Sequence, residues 1–175
     1  MGINRYTQLT PSQFNPLSLE EIMLVPAMQR KKHDDLLVKQ EEIRSGLAKV
    51  NPLDVHYDEA MLLKQGIEAE LDATAKSLAE KGIDPNTSSK VIALNRKYND
   101  LVAPTGRIGQ INTAKQLYDS KKAAFLENAT KQYGSQRAVQ LWEQKTKDEA
   151  TGYKGYDAEK KIVNIGDYGI VGAED

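Results

Sequence analysis

Few side chains in this sequence have the type and spacing that catalysis or metal binding requires. The two histidines, His33 and His56, are far apart along the chain, and His33 precedes Asp34 and Asp35 on a polar stretch. A metal or acid–base site needs several such groups in one pocket, so both histidines are predicted to be solvated. Because the chain has no Cys, thiol nucleophiles, thiolate metal sites and disulfides are excluded.

Serine and glycine chemistry is equally sparse. The sequence has no Gly-x-Ser-x-Gly motif, and Ser135 is predicted to cap a helix after Gly134. Gly106-Arg107-Ile108-Gly109 could in principle hold a phosphate on free helix amides, but it lacks the third glycine and the preceding strand of a dinucleotide loop. A helix entrance or a close helix crossing is therefore favoured there. We predict a protein that is not an enzyme, with no catalytic residues, no cofactor and no metal.

The basic clusters Arg30-Lys31-Lys32 and Lys121-Lys122 are short and have acidic neighbours. The sequence pI of about 6.2 lacks the basic character of a dedicated nucleic-acid binder. Solvated helix faces are the favoured interpretation. Nucleic-acid binding through residues 82–133, which carry a net charge of +4, stays open as an alternative.

Helices are the elements predicted to position these residues. Residues 1–17, which contain Pro11 and Pro16, are predicted to form an extended arm. A capping box at Ser18 then begins a short helix, and Pro26 is predicted to break or kink it.

Two long helices follow and are predicted to form an antiparallel hairpin with coiled-coil character, because only a short turn joins them. The first spans residues 27–50, and the second runs from an N-cap at Asp54 to about Lys81, with Gly82 as the stop signal. Their net charges are +2 for residues 27–50 and −4 for residues 51–81. The predicted apolar stripes comprise Leu36, Ile43, Leu47 and Val50 in the first helix, and Tyr57, Ala60, Ile67, Leu71 and Leu78 in the second.

Three further helices are predicted to complete the bundle. Thr87 or Ser88 is expected to cap the third helix, and Ala103-Pro104 to end it. Gly134 is expected to separate the fourth helix from the fifth. The apolar positions of these helices are Val91, Leu94, Tyr98 and Leu101, then Ile108, Ile111, Tyr118, Phe125 and Ala129, then Val139 and Trp142.

The composition changes after Ala150, where five of the twelve glycines and three of the eight tyrosines occur. Helix is not expected there. Residues 162–165 and 170–171 are candidates for short strands, which would pair with a partner's sheet edge or stay mobile.

The overall composition predicts an all-α protein with a thin core. The chain has 175 residues, one Trp, two Phe and a net charge of −1. Its mean hydropathy is −0.59, and no 18-residue apolar run predicts a membrane segment. The predicted organisation is an extended arm at 1–17, a helical bundle at 18–149 and a Gly/Tyr-rich arm at 150–175.

The N-terminal residues resemble a known group of proteins. Tyr6-Thr7, Pro11, Phe14 to Ile22 and Val25-Pro26, followed by a long charged helical hairpin, are similar to the N-termini of virion structural proteins of crAss-like phages. The resemblance implies a tail, neck or internally packaged cargo protein, synthesised in the bacterial cytoplasm and carried in the virion. It implies other virion proteins as partners (tail, portal or neck subunits), and it transfers no catalytic residues.

Contact residues are consequently the predicted site, within a homo- or hetero-oligomer. The alternative for each residue is packing on the chain's own bundle. A scaffolding or adaptor coiled coil that is absent from mature particles is the alternative function. The predicted partner-binding residues are Phe14, Pro16, Leu17 and Ile22 in the N-terminal region, and Tyr153, Tyr156 and Tyr168 in the C-terminal region.

Overall fold

A computed structural model describes residues 19–168, and side chains from residue 26 to residue 166. Five α-helices dominate it, as the all-α prediction requires, and a single two-stranded antiparallel sheet follows them. The helices are α1 (Leu19–Ala48), α2 (Tyr57–Lys81), α3 (Pro85–Val102), α4 (Arg107–Tyr133) and α5 (Ser135–Thr146). The strands are β1 (Tyr156–Asp157) and β2 (Ile162–Val163), and 3-10 turns span Asp54–His56 and Ile165–Tyr168.

Helix α1 is continuous through Pro26, so the predicted break at that residue is wrong. A proline inside a helix removes one hydrogen bond and costs about 3 kcal/mol. Pro26 lies in the first third of a 30-residue helix, so one lost hydrogen bond leaves most of the helix intact.

Helices α1 and α2 form the predicted antiparallel hairpin, in which Leu36 packs with Leu78 near one end and Val50 with Ala60 near the other. Thr74 also lies in the buried stripe of α2, where its hydroxyl donates to the Leu71 carbonyl at 2.8 Å. A short side chain that satisfies its own hydrogen bond can occupy a core position at little cost.

The start of α2 differs from the prediction. Asp54 begins a 3-10 turn and makes no side-chain cap, and α2 begins at Tyr57, whose side chain is 55% exposed. The 3-10 turn rotates this first residue away from the stripe, so the buried face of α2 begins at Ala60.

The end of α2 and the start of α3 are set by local signals. Gly82 has a φ of 68° and its N–H bonds the Leu78 carbonyl at 3.0 Å, as a glycine stop predicts. Asp84, rather than Thr87 or Ser88, caps α3, because its carboxylate accepts the Thr87 N–H at 2.7 Å.

The end of α3 and the start of α4 approach closely at Gly106 and Gly109, the glycine pair that could in principle hold a phosphate. A Cβ added to Gly106 would lie 2.0 Å from the Asp100 carbonyl oxygen, and one added to Gly109 would lie 1.9 Å from that of Ala103. The two glycines therefore allow the backbones to approach. The prediction of a helix entrance or a close helix crossing is confirmed at the entrance, because Gly106 is the N-cap of α4 and lies against the end of α3.

Helix α5 packs antiparallel on the second half of α4. Trp142 is 1% exposed and its ring lies 5.5 Å from that of Phe125, while Val139 is 41% exposed. Gly134 occupies the N-cap position, so Ser135 is the first helical residue and not the predicted cap.

The C-terminal segment, residues 147–168, folds against the helices. Strands β1 and β2 pair with each other, with Tyr156 opposite Val163 and Asp157 opposite Ile162. Val163 and Ile165 form a buried cluster with Leu53. Pairing with a partner's sheet edge stays a prediction, and the second candidate strand, 170–171, lies outside the described residues.

Candidate functional site

The bundle has two unlike ends. At the base, which we define as the end containing the 3-10 turn Asp54–His56 and the start of α4, the C-terminal segment covers the helices. At the distal end, which contains the α2–α3 connection, α1 runs on past its neighbours. Each end brings together residues that sequence reasoning treated separately.

Arg107 is the central side chain of the base. Its Nε and Nη2 atoms donate to the Glu59 carboxylate at 2.7 and 2.6 Å, which is a two-pronged ion pair between α4 and α2. The same guanidinium donates to the carbonyls of Lys160 and Lys161 at 3.0 and 2.6 Å. Four hydrogen bonds nearly exhaust the five donors of an arginine, so this group holds the chain together and has little capacity left for a ligand.

The electrostatics of this pair follow from its geometry. The hydrogen bond from Arg107 holds the pKa of Glu59 below its ordinary value of 4.5, and the same bond raises the pKa of Arg107. Lys161 has a φ of 49°, which a side-chain-bearing residue adopts only at some cost in free energy. Its hydrogen bond to Arg107 offsets that cost.

His56 is buried at the base, so the prediction that it is solvated is wrong. Its ring is 1% exposed, and its Nε2 atom accepts the backbone N–H of Val163 at 3.4 Å. Burial, then the positive charge of Arg107, lower the pKa of His56 below 6.5, and Glu59 opposes that shift. The neutral imidazole therefore links the 3-10 turn before α2 to β2.

Two of the predicted contact residues lie at this base. The Tyr153 ring packs edge-on to Tyr118, with 5.5 Å between ring centroids, and the Tyr156 ring lies 6.2 Å from that of His56. Both tyrosines are half-buried against the chain's own cluster around Leu53, which is the alternative that the sequence left open for them. Their role as partner contacts stays a prediction.

The distal end carries an open groove between α1 and the start of α3, with a volume of about 580 Å³. Leu36 and Ile83 belong to the neighbouring apolar cluster, while Ile92 is 49% exposed. Asp84 at its edge accepts hydrogen bonds from Thr87, which hold the pKa of that carboxyl below its ordinary value. We call this the distal groove; its lining includes Lys32, Asp35, Leu36, Lys39, Ile83, Asp84, Pro85 and Ile92.

Helix α1 runs past the end of α2, and the inner part of this extension lines the distal groove. With Leu36 packed on Leu78, about 14 residues of α1 run past the end of α2, a length of roughly 20 Å. From Pro26 to Asp35 the side chains are exposed, apart from a half-buried His33, and Met28 is 56% exposed. This stretch therefore carries exposed charged and apolar side chains next to the distal groove.

The remaining predicted contact residues cannot be placed in either end. Phe14, Pro16 and Leu17 lie outside the described residues. Ile22 lies in the extension of α1 and Tyr168 ends the last 3-10 turn, but neither side chain is described.

The basic stretch from residue 82 to 133 is partly neutralised by ion pairs. Lys97 pairs with Glu70 on α2, and Lys115 pairs with Asp119 on its own helix. Arg107 is committed to Glu59. Ion pairs therefore engage part of the positive charge of this stretch.

Neither a metal centre nor a membrane helix is found where the structure can be read. Among the described residues, no group of three or more His, Cys, Asp or Glu side chains is placed to hold a metal ion. None of the described helices is long and apolar enough to cross a membrane.

Sequence reasoning missed Arg107, Glu59 and His56 as a group. The available signals were an arginine between two glycines at a helix start and a histidine just before another helix. Each signal also fits a local helix start. Neither points to its partner, because the partners lie 48 and 107 residues away in the chain.

The described fold is that of a slender helical bundle with one closed end and one open end. Comparisons of the chain with protein-family models, curated proteins and solved structures find no match in any of the three.

Proposed function

We propose that this protein is a non-enzymatic structural component of a bacteriophage particle, located in the tail or neck or packaged inside, that works through protein–protein contacts. The observation that carries the proposal is the extension of α1, which is exposed from Pro26 to Asp35 and leads from the predicted N-terminal arm into the distal groove. The resemblance of the N-terminal sequence to virion proteins of crAss-like phages gives the proposal its particular setting.

The two ends of the bundle differ in how far their side chains are already packed within the chain. From Pro26 to Asp35, where its side chains are described, the extension of α1 is mostly exposed and gains little tertiary packing. Packing supplies most of the stability of helices in proteins. Such an extension is stabilised when a neighbouring subunit covers it. The base, whose charged groups already satisfy one another, offers less to a partner.

Incorporation into particles tests the proposal. In a phage that encodes this chain, replacing the arm residues Ile3, Tyr6, Leu9, Phe14 and Leu17 with Ser is expected to leave helicity unchanged and to abolish incorporation, as measured by circular dichroism and by mass spectrometry of purified particles. The matched control changes polar arm residues, such as Gln8 and Gln13, to Ser. Undiminished incorporation of the apolar variant would contradict a role for the arm.

Mass spectrometry of mature particles also separates the alternative function. A scaffolding or adaptor protein is present during assembly and absent from the finished virion, whereas a structural component remains at a fixed copy number. Detection in assembly intermediates alone would favour the scaffold.

A further inference from the structure

The distal groove and the extension of α1 are complementary to each other. The face of α1 that lines the groove includes Lys32, Asp35 and Lys39, and Met28 lies one turn further out on the same face, since the spacings of four, three and four follow a helical stripe. Met28 is 56% exposed. One surface thus offers both an apolar side chain that projects and an apolar groove that could receive it.

The charges of the groove are balanced. Two lysines, Lys32 and Lys39, and two aspartates, Asp35 and Asp84, line it. A surface of one sign would repel a second copy of itself, whereas a balanced one can pair with itself when each cation meets an anion across a two-fold axis.

We propose that a second copy of this chain occupies the distal groove, with the two α1 helices antiparallel and Lys32 of each copy facing Asp35 of the other. The two-fold axis passes midway between these residues. Each contact therefore occurs twice, once for each copy. The inference rests on the proposed function and names a partner for it.

The same geometry places Met28 of one copy against the other copy's Ile92. An axis midway between Lys32 and Asp35 brings Met28 to the level of Lys39 on the opposing helix. Because Val91 packs with Leu36 and Tyr98 lies against Gly46, α3 runs parallel to α1 and Ile92 lies at that same level. Ile92 lines the groove and is 49% exposed, so both apolar side chains lose water on pairing.

Sedimentation of the full chain tests the pairing directly. Protein from about 1 μM to about 1 mM covers association free energies of about 4 to 8 kcal/mol. We expect a concentration-dependent shift from monomer to dimer in this range. A chain that stays monomeric throughout overturns the inference.

Charge swaps test the antiparallel register. Lys32→Glu alone, or Asp35→Lys alone, places like charges across the axis twice and is expected to weaken dimerisation about tenfold at low salt. The double variant Lys32→Glu/Asp35→Lys restores opposite charges and is expected to restore dimerisation. Lys76→Glu, an exposed reversal on α2, is the control that should leave dimerisation unchanged. Failure of the double variant to recover overturns the register.

Truncation tests the apolar contact. Met28→Ala and Ile92→Ala are each expected to weaken dimerisation several-fold, while Leu37→Ala is expected to have no effect. Leu37 is 44% exposed on the opposite side of α1 from the groove, so it controls for loss of apolar surface. Equal effects of Met28→Ala and Leu37→Ala would overturn the proposed placement.

These outcomes are distinguishable from failure of the proposed function. A charge-swap single variant that is monomeric and still incorporated into particles would overturn the second copy as the required occupant and leave the virion role intact. A dimeric protein that is absent from particles at every stage would contradict the virion role and leave the pairing intact.

Discussion

The base and the distal end of this bundle are built from similar residues, yet they use them differently. At the base, Arg107, Glu59 and His56 are all bonded within the chain, and two glycines bring α3 and α4 into backbone contact. At the distal end, charged side chains of α1 border an open groove, and apolar side chains such as Met28 face water. The contacts that stabilise the chain are therefore concentrated at the base, and the surface left for contacts with a partner lies at the distal end.

The largest expected difference concerns glycine substitutions. Gly109→Ala is expected to destabilise the protein by about 3 kcal/mol or more, because its Cβ would lie 1.9 Å from the Ala103 carbonyl oxygen and the backbone there has no room to move. Gly66→Ala on α2 is the control: no atom lies within 4 Å of an added Cβ, and a gain of about 0.5 to 1 kcal/mol is expected. Urea unfolding measures both; a tolerated Gly109→Ala would mean that the base is not tightly packed.

The second-largest loss of stability is expected when Arg107 is replaced. Arg107→Met is expected to lower the free energy of unfolding by about 2 to 3 kcal/mol, because Glu59 and two backbone carbonyls lose their donors. Arg44→Met is the control, since its exposed bond to Asp72 at 3.4 Å should contribute less than about 1 kcal/mol. If the two variants lost similar amounts of unfolding free energy, Arg107 at the base would contribute no more to stability than an exposed ion pair.

The base should also be sensitive to mild acid. The folded state holds the pKa of His56 below 6.5, so its neutral form is needed for folding; the free energy of unfolding should fall as the pH drops below about 6.5 and level off below the lowered folded pKa. Glu59, whose pKa is below 4.5 in the folded state, contributes stability that is lost only at lower pH. Unfolding measured between pH 8 and pH 5 therefore covers the range in which His56 is expected to act.

A glutamine variant provides the test of that assignment. His56→Gln keeps an acceptor near the Val163 N–H without titrating, and is expected to flatten the pH dependence in this window. His33→Gln on exposed α1 is expected to keep the wild-type dependence. A pH profile that His56→Gln leaves unchanged would show that another group is responsible.

The smallest effects on stability are expected at the distal end. Met28→Ala and Lys32→Glu should each change the free energy of unfolding by less than about 0.5 kcal/mol, because neither side chain is buried in the isolated chain. Urea unfolding at protein concentrations below the association range checks this. A loss above about 1 kcal/mol would mean that the extension of α1 is already packed within the monomer.

Much of the fold could be predicted from the sequence because its signals are local. The stripes containing Leu36, Ile43 and Leu71 were predicted to be buried, and they are. Gly82 ends its helix as expected, because a glycine with positive φ is a backbone requirement that needs no distant partner. The break predicted at Pro26 is wrong, because one lost hydrogen bond leaves the rest of this 30-residue helix intact.

What the sequence alone determined is therefore the helices, their order and most of their buried faces, all of which depend on residues three or four positions apart. Only the tertiary structure decided that Arg107 meets Glu59, that His56 is buried against Val163, and that the tyrosine-rich segment covers the base. These contacts join residues 48 and 107 positions apart. These contacts depend on which helices pack together and at which end of the bundle. No spacing between nearby residues in the sequence determines that packing.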